Sequence, residues 1–312
     1  MLEDLSRSTQ TVLEVLIVDS SDDKLKAPDL LAFTGLRIRY FEAAKSVCAQ
    51  RNMGIREAQG DWIFLCDDDI EVPSDYLSKL LEHLGKYPAA GAVSGLCLEW
   101  QNGQWESQQP VTSARSLLWR YLFQLSIWGE IRPRGPGVDW IVARYRRRGN
   151  HISSAGWPVI TDLSAPFFRT PTYLLGASLV KREWLLRSPY DERLDARGFG
   201  DNYGVAIGFP DEGIHIVTAA YVRHHREALN RLPEAVGYSR RMLALHYFIK
   251  TRRELSHVKP GLLLWSLVGQ TIFHAFKGNG QMTRASLETF VTIVLRKNPF
   301  LSKPDRALQL DD

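Results

Sequence analysis

Cysteine is scarce in this chain of 312 residues, and the few cysteines form no recognisable pattern. Cys48, Cys66 and Cys97 make no Cys-x-x-Cys pair and are odd in number, which argues against a disulfide framework and against a cysteine metal site. We interpret them as small apolar residues buried in a protein of a reducing compartment. The cysteine usage therefore predicts a cytoplasmic protein.

Long hydrophobic runs are also missing. The most apolar stretch begins at Gly261–Val268, "GLLLWSLV", and extends through "GQTIF" to about a dozen residues, whereas a membrane-spanning helix needs roughly 20. The first residues, "MLEDLSRSTQ", have no basic region followed by an apolar one, as a secretory signal would have. Internal repeats and low-complexity segments are not visible either. We therefore predict no integral membrane helix and no secretory signal.

A strong net charge is the third absence, but the charge is unevenly distributed. The formal net charge is +4; residues 223–312 contain 15 Lys and Arg against 7 Asp and Glu, and residues 1–222 contain 24 against 28. This division argues against a nucleic-acid-binding protein with one broad basic face. The basic tail fits contact with an anionic partner such as a membrane surface. The alternative is a helical tail that is basic without such a partner.

What the sequence does contain is an alternation of strand-like and helix-like segments. Hydrophobic residues make up 45% and charged residues 24% of the chain, as in proteins that fold. We predict strands at 12–18, 36–41, Trp62–Cys66 and 91–99, and helices at 45–58 and 75–86, the latter with Ser74 as its N-cap. The alternation predicts an α/β fold with a mainly parallel sheet and helices on both faces.

The rest of the chain is less regular until its helical end. We predict a helix at 113–129, a strand, turn and helix in "TYLLGASLVKREWLL", and a strand in "IHIVTAAYVRHH", which ends in two histidines. Between them, "YDERLDARGFGDNYGVAIG" is acidic and rich in glycine, as functional loops often are. Helices are predicted near 234–256, 260–276 and 281–296.

Three consecutive carboxylates, Asp67, Asp68 and Asp69, follow the third predicted strand in "DWIFLCDDDIEV". Adjacent carboxylates repel one another, and a divalent cation is the simplest relief; their oxygens favour Mg²⁺ or Mn²⁺. Because strand side chains alternate, Asp67 and Asp69 would point one way and Asp68 the other. An acidic loop or helix cap is the alternative. An EF-hand lacks its glycine here, and a phosphatase-type nucleophile lacks the small residue of its tight turn.

Two further polar residues border the expected ligand side of the sheet. Asp19 ends the first predicted strand, and ligands of such sheets bind beyond the carboxyl ends of the strands. Taken alone, Asp19 fits a loop acid or a cap equally well. Arg51, in "QRNMG", lies on the helix before the acidic strand, where it could reach an anionic phosphate or brace the acidic loop.

The order of these motifs resembles the nucleotide-sugar half of family 2 glycosyltransferases. The motifs are "EVLIVDSSDD", "RIRYFEA", "AQRNMGIREAQGDWIFLCDDDIEVPSDYLSKLLEHL" and "GAVSG"; the later "YLLGASLVKREWLLRSPYDERL" and "FGDNYG" resemble the acceptor half. The resemblance covers roughly residues 3–226. It implies the GT-A fold, a Rossmann-like, mainly parallel sheet flanked by helices. It also implies a catalytic domain over 1–232, with halves at about 1–100 and 101–232, and a basic amphipathic helical extension over 233–312.

Carried over residue by residue, the resemblance implies a donor site for a nucleotide-diphospho-sugar. Asp19 would receive the base or ribose, and Arg51 would lie near the base and phosphates. Asp67 would contact the ribose or sugar, and Asp68 belongs to the same nucleotide-sugar-binding group. Two small residues would line the pocket for the donor sugar and the acceptor: Gly176 and Ala177.

The resemblance also implies a metal and a general base. Asp69 and His224 would hold Mg²⁺ or Mn²⁺, with His225 as the alternative to His224. Asp201 stands at the second position of the family's Glu-Asp pair, the general base. A metal that neutralises the leaving diphosphate, and a base that removes the acceptor hydroxyl proton from the opposite face, give transfer with inversion.

The implied protein is thus a metal-dependent inverting glycosyltransferase of hexosyltransferase type, acting in polysaccharide biosynthesis on a glycan or lipid-linked saccharide and binding no nucleic acid. Two departures favour a non-catalytic binding or scaffold protein as the alternative. The family's usual first strand is missing, unless another element fills its place, and Gly200 replaces the Glu of the Glu-Asp pair. A nucleotidyltransferase would need a glycine-rich, basic loop where this chain has "VDSSDD".

The tail helices interleave basic and apolar residues, with Trp and Lys in "KPGLLLWSLVGQTIFHAFKG". Such helices can lie in a bilayer interface, which would suit a lipid-linked acceptor and peripheral contact at the inner face of the cell membrane. They can equally pack on the catalytic domain as a core layer.

Overall fold

The computed structural model describes residues 1–101, 103–194, 198–225 and 232–302. Its helices are α1 Leu2–Ser6, α2 Ala27–Leu31, α3 Val47–Glu57, α4 Tyr76–Lys86, α5 Ala114–Leu122, α6 Asp139–Arg148, α7 Arg182–Arg187, α8 Asp201–Ala206, α9 Glu234–Thr251, α10 Pro260–Phe276 and α11 Gly280–Val294. Its strands are β1 Val15–Asp19, β2 Ile38–Glu42, β3 Trp62–Cys66, β4 Ile70–Glu71, β5 Ala92–Gln101, β6 Gln104–Glu106, β7 Ile127–Trp128, β8 His151–Ile152, β9 Pro158–Ile160, β10 Phe167–Thr170, β11 Ala177–Lys181 and β12 Ile214–His224.

The N-termini of α3 and α4 differ in their capping, and the cap predicted for α4 is corrected. The Ser46 hydroxyl caps α3 by accepting from the Ala49 amide at 3.3 Å. Ser74, predicted to cap α4, does not: the N-cap is Asp75, without a side-chain cap hydrogen bond. The Ser74 carbonyl instead accepts a hydrogen bond from the Thr9 amide at 2.9 Å, which ties the loop before α4 to the segment after α1.

The helix predicted at 113–129 is shorter than expected. α5 ends at Leu122, and the next side chain, Phe123, stacks on Trp265 of α10 with ring centres 4.8 Å apart. Residues 127–128 then form β7, which pairs with β9. α5 thus ends where Phe123 contacts a distant helix, although the helical pattern of the sequence continues beyond this point.

A seven-stranded sheet forms the centre, with the main order β10-β12-β5-β11-β3; β4 also pairs with β12, and β6 with β5. β12 runs parallel to β5, whereas β11 is antiparallel to both β3 and β5. The expected sheet flanked by helices is present, and its strand directions are mixed rather than mainly parallel. Strand direction depends on long-range pairing, which a local pattern of apolar residues does not specify.

β1 and β2 form a separate parallel pair, in register from Val15 opposite Ile38 to Asp19 opposite Glu42. Within the described residues, no strand pairs with the other edge of β1 or with the edge of β3 that faces away from β11. The flank of the "VLEVLIV" strand is therefore open. The space between these two strands is called the β1–β3 gap below.

β12 carries a bulge. It pairs with β5 up to Val217 and again from Tyr221, so that residues 218–220 lie outside the ladder. The Tyr76 hydroxyl enters at this place and accepts a hydrogen bond from the Gly95 amide of β5 at 2.8 Å. Beyond the bulge, parallel pairing continues to the end of β12.

The helices predicted near the C-terminal end are present as α9, α10 and α11, and they pack on the rest of the chain. Leu263 and Leu267 of α10 are fully buried in the same hydrophobic core as Ile55 of α3. Gly269 lies so close to Phe123 that a Cβ there would overlap the ring. In the part of the chain that the structure describes, every helix is too short or too polar to cross a membrane.

Candidate functional site

The three consecutive carboxylates leave the end of β3. The Asp67 amide donates to the Gly176 carbonyl at 2.8 Å, and Gly176 packs so closely on the Asp67 carboxylate that a Cβ would overlap it. Asp68 is exposed. Ala177, predicted to line the same pocket as Gly176, is buried in β11, where its carbonyl accepts from the Tyr76 hydroxyl at 2.6 Å. The structure thus places Gly176 at the acidic cluster and the Ala177 methyl in the core.

Arg51 of α3 connects two carboxylates that are distant in the sequence. It donates through Nη2 to Asp67 Oδ1 at 2.6 Å and through Nη1 to Asp201 Oδ2 at 2.5 Å and Asn202 Oδ1 at 3.3 Å. Its Cζ lies 5.1 Å from the centre of the Tyr190 ring. Burial disfavours the charged guanidinium, but Tyr190 and the two carboxylates outweigh it and raise the pKa of Arg51. The guanidinium is therefore charged and braces the acidic loop.

Asp201 is the first residue of α8, and its side chain is only 13% exposed. Burial raises the pKa of the Asp201 carboxyl, and Arg51 offsets this in part. The preceding Gly200 has a φ of +86°, in the left-handed region, and a Cβ there would lie 3.1 Å from the Ala244 Cβ. A residue with a larger side chain, such as Glu, would be strained at this position in this backbone.

Asp69 and His224 approach each other from the acidic loop and the end of β12. His224 Nε2 lies 3.1 Å from Asp69 Oδ2, and its Nδ1 lies 3.5 Å from Glu99 Oε1 of β5. His225 points elsewhere, with its Nε2 3.1 Å from Glu71 Oε2. Of the two histidines that the sequence left open, His224 is the one beside Asp69.

Asp69 and His224 offer part of a divalent metal site. A carboxylate oxygen and an imidazole nitrogen converge at Asp69 and His224, and both are ligands that Mn²⁺ accepts. Hydrogen bonding to Cys97 and to Glu99 raises the pKa of His224 to about 10, so a metal would have to displace a proton there. No group of three or more potential ligands occurs among the described residues. The pair fits a metal whose remaining ligands are substrate phosphates and water.

Asp19 ends β1 beside the cavity, but its carboxylate is already engaged. Oδ1 accepts from the Ser21 amide at 2.7 Å and hydroxyl at 2.6 Å, and Oδ2 accepts from the Tyr40 hydroxyl at 2.7 Å and the Leu25 amide at 3.2 Å. These hydrogen bonds outweigh burial and lower the pKa of Asp19. Asp19 is ionised and organises the loop over residues 20–25.

A cavity of about 2590 Å³ joins the β1–β3 gap to Asp19, Arg51 and Asp67. Arg240 and Arg241 of α9 also line it, although the sequence suggested only a basic tail for them. The two adjacent arginines in "SRRML" could have indicated an anion-binding site, but only the packing of α9 brings them to this cavity. Tyr190 and Asn202, which contact Arg51, had no such signal, because they lie far from it in the chain.

Two solved structures have a similar fold. The structure of S. aureus TarS 1–349 in complex with UDP-GlcNAc is similar, with a TM-score of 0.53 and 11% identity over 96% of this chain and 78% of that chain. The mannosyltransferase PcManGT from Pyrobaculum calidifontis, in complex with GDP-Man and Mn²⁺, is similar with a TM-score of 0.50 and 15% identity, over 95% and 82%. These likenesses show the GT-A fold and confirm the predicted fold class.

The sequence comparisons match part of the chain to known proteins. Residues 1–136 match the model described as Glycosyl transferase family 2. The chain is 31% identical to "Uncharacterized glycosyltransferase YwdF" of Bacillus subtilis (strain 168) over 85 residues, 27% of this chain and 32% of that protein. The chain thus spans about a third of the length of this curated relative. The predicted resemblance to family 2 glycosyltransferases is confirmed.

Proposed function

We propose that this protein is a glycosyltransferase that moves a sugar from a nucleotide-diphospho-sugar to a hydroxyl of a glycan or lipid-linked saccharide. The observation that carries the proposal is the set Asp67–Arg51–Asp201 beside the Asp69–His224 pair. The family match and two GT-A neighbours with UDP-GlcNAc or GDP-Man support a donor of this kind.

The donor would enter the cavity between the acidic loop and the basic side chains that line it. Arg51, Arg240 and Arg241 supply positive charge for the diphosphate. Asp67 and Asp68 would face the ribose or sugar, and Gly176 keeps Asp67 in place. Asp19 would act on the base through the loop that its carboxylate organises.

Asp69 and His224 would hold Mg²⁺ or Mn²⁺. When bound, the metal would neutralise charge that develops on the leaving diphosphate. His224 is oriented for this role by its second nitrogen, which lies against Glu99.

Asp201 would be the general base. A buried carboxyl with a raised pKa accepts a proton more readily than an exposed one. Transfer with inversion requires that the acceptor hydroxyl attack from the face opposite the diphosphate, with Asp201 on that face. In this proposal the donor diphosphate competes for Arg51 and so releases Oδ2 of Asp201.

The acceptor end would lie near a membrane surface at the inner face of the cell membrane. α10 and α11 expose large apolar side chains, and basic residues stand close by in the sequence, as in interfacial helices. The exposed apolar residues are Trp265, Phe273, Phe276, Leu287, Val291 and Val294, and the basic ones are Lys277, Arg284, Arg296 and Lys297.

The test is calorimetric titration of the protein with UDP, GDP and dTDP, each with Mn²⁺ and with EDTA. We expect one nucleotide to bind only with Mn²⁺, and Asp69→Asn to weaken this binding at least about tenfold. Glu82→Gln, which changes an exposed carboxylate on α4, is the matched control. A donor-hydrolysis assay then compares wild type with Asp201→Asn, which should bind the donor normally and lose turnover.

A non-catalytic binding protein is the second candidate, because Arg51 occupies Asp201 and the Asp19 carboxylate is filled by its own loop. This candidate predicts that nucleotide binds. It also predicts that the wild type and Asp201→Asn both hydrolyse the donor no faster than a control without enzyme. Failure of all three nucleotides to bind would contradict the glycosyltransferase proposal for this chain.

A further inference from the structure

A small cleft of about 20 Å³ lies between the end of α5, the end of α6 and the β8–β9 hairpin. A space of this size holds about one water-sized group. Its lining includes Arg144 and Arg148 of α6 and Ser153, which follows β8, and, among the described residues, no carboxylate. None of the described residues that line it also lines the large cavity beside Asp67. This cleft, called the α6 cleft below, is thus separate from the candidate donor site.

The two arginines of the α6 cleft stand four residues apart and therefore share one face of the helix. Like charges at this spacing repel each other. The negative end of the helix dipole favours basic residues in the last turn, which accounts for Arg148 but not for Arg144. Within the described ranges, neither arginine forms an ion pair with a carboxylate, whereas Arg132 pairs with Glu130 at 3.6 Å. The repulsion between Arg144 and Arg148 is therefore not offset by a described acidic residue.

Positive charge also reaches the α6 cleft from α5. Tyr145 lines the cleft, and burial raises the pKa of its hydroxyl to about 12. The charges of Arg148, Arg120 and Arg144 oppose this rise. Burial lowers the pKa of His151, another lining residue, and the charges of Arg148 and Arg144 lower it further. Three guanidinium groups from two helices thus act on one place.

The Ser153 hydroxyl adds a hydrogen-bond donor to the lining. Its Oγ accepts from the Ala155 amide at 3.3 Å and from the Trp157 amide at 3.1 Å. Ser153 is buried, yet its own hydroxyl proton has no acceptor within the part of the chain that the structure describes. Buried donors ordinarily find an acceptor. A ligand that brings acceptor oxygens into the cleft would supply one.

A phosphate group matches these donors. Guanidinium groups pair with phosphate through two parallel hydrogen bonds, and a phosphate has oxygens enough to accept from a hydroxyl as well. The cleft admits about one such oxygen, and Arg144 and Arg148 are exposed at its rim. The rest of the ligand would therefore stay at the protein surface, as when the phosphate belongs to a larger molecule.

Exposed apolar side chains border the cleft. Tyr121 lines it and packs edge-on against the exposed Trp140, with ring centres 5.0 Å apart. The neighbouring Leu122 is also exposed, and its carbonyl accepts from Trp265 Nε1 at 2.8 Å. Trp265 belongs to the exposed apolar surface of α10. A negative phosphate beside an apolar layer is what an anionic bilayer presents to a protein.

We propose that the α6 cleft binds the phosphate of an anionic lipid head group while the exposed apolar side chains of α5 and α10 enter the bilayer interface. This inference rests on the membrane contact in the proposed function and gives that contact a defined site. A soluble phosphate ester would offer the same oxygens without acyl chains, so the test separates the two sources.

The first test is co-sedimentation with vesicles of phosphatidylcholine alone and of phosphatidylcholine mixed with phosphatidylglycerol. The double variant Arg144→Gln, Arg148→Gln should bind the mixed vesicles at least about tenfold more weakly than wild type and the neutral vesicles equally well. The matched control is Arg146→Gln, Arg147→Gln, which removes the same charge from the same helix outside the cleft lining. It should lose no more than about threefold. Equal losses in the two double variants overturn the proposal, because net charge alone would then explain the binding.

The second test is calorimetric titration with sn-glycerol 1-phosphate, the soluble part of such a head group. We expect weak binding that Arg144→Gln, Arg148→Gln removes. Wild-type protein that binds glycerol phosphate but sediments equally with both kinds of vesicle overturns the lipid source, and wild-type protein that sediments with neither overturns the proposal as a whole. Neither measurement needs a nucleotide, so failure of the donor site and failure of the α6 cleft are told apart.

Discussion

Arg51 and Asp201 form an ion pair with a nitrogen–oxygen distance of 2.5 Å, although 150 residues separate them in the chain. The same guanidinium holds Asp67, so one cation joins the residue after β3 to the first residue of α8. Removal of Arg51 would therefore leave two partly buried carboxylates without their counter-charge.

Arg51→Ala should lower the free energy of unfolding by about 3 kcal/mol, because it leaves both carboxylates uncompensated. Arg51→Lys should recover only part of this, since one ammonium does not reproduce the two-pronged contact. Urea unfolding measures both. Arg56→Ala on the same helix is the control, because Arg56 is exposed and lies 4.0 Å from Glu192; its loss should stay below about 0.5 kcal/mol. Equal losses for Arg51→Ala and Arg56→Ala would contradict the bridging role.

Gly176→Ala should damage nucleotide binding more than stability. The new Cβ would overlap the Asp67 carboxylate and displace it from Arg51, so we expect at least a tenfold loss of affinity, roughly 1.4 kcal/mol, in calorimetric titration. Gly85→Ala in α4 is the matched control, since its Cβ would meet nothing within 4 Å and should stabilise the helix slightly. Unchanged affinity in Gly176→Ala would show that the Asp67 position does not matter for the nucleotide.

The buried pair His83–His215 should make the protein acid-sensitive. His83 Nε2 lies 2.9 Å from His215 Nδ1, and burial, with nearby Arg169, lowers the pKa of His215 from 6.5 to about 4. A lowered pKa means that the unfolded state binds the proton first. The stability is therefore complete above pH 6.5 and falls toward pH 4, by up to about 1.4 kcal/mol per pH unit for each such group.

Thermal unfolding between pH 8 and pH 4.5 measures this effect. His215→Gln should be less stable than wild type at pH 8 but should lose less stability on acidification. The exposed His257→Gln should follow the wild-type profile. An acid profile of His215→Gln as steep as that of wild type would assign the sensitivity to other groups.

The apolar surface of α10 should bind anionic vesicles. Phe273 and Phe276 are 44% and 84% exposed, and their burial in a bilayer interface contributes up to about 2 kcal/mol each. The double variant Phe273→Ser, Phe276→Ser should therefore bind phosphatidylglycerol vesicles at least about tenfold more weakly in co-sedimentation. Leu31→Ser on α2, which is 72% exposed but remote in sequence, should bind as wild type does. Wild-type protein that stays in the supernatant would contradict membrane contact.

Local pattern was enough to predict many elements. β3 has the bounds that its apolar run between Asp61 and Asp67 predicted, and the three C-terminal helices are present where their spacing indicated. These elements are specified by short-range periodicity and by the polar residues that bound them. The Asp69–His224 contact followed from the resemblance, and the structure brings these two side chains together.

What the sequence could not show depends on distant contacts. The direction of β11, the early end of α5 at Phe123 and the arrival of Arg240 at the cavity each require packing between segments far apart in the chain. The role of Asp19 was hidden for another reason: its hydrogen-bond partners, Ser21 and Tyr40, are ordinary polar residues whose orientation only the folded loop defines.

The bulge in β12 shifts the register of the strand and so determines which side chain lies beside the acidic loop. If the ladder had continued without interruption beyond Val217, Tyr221 would stand opposite Glu99; residues 218–220 advance the strand, and His224 stands there instead. The number of residues in the bulge thus decides which residue lies beside the acidic loop. Loss or gain of one residue within the bulge would place a different residue opposite Glu99, without any substitution at the end of the strand.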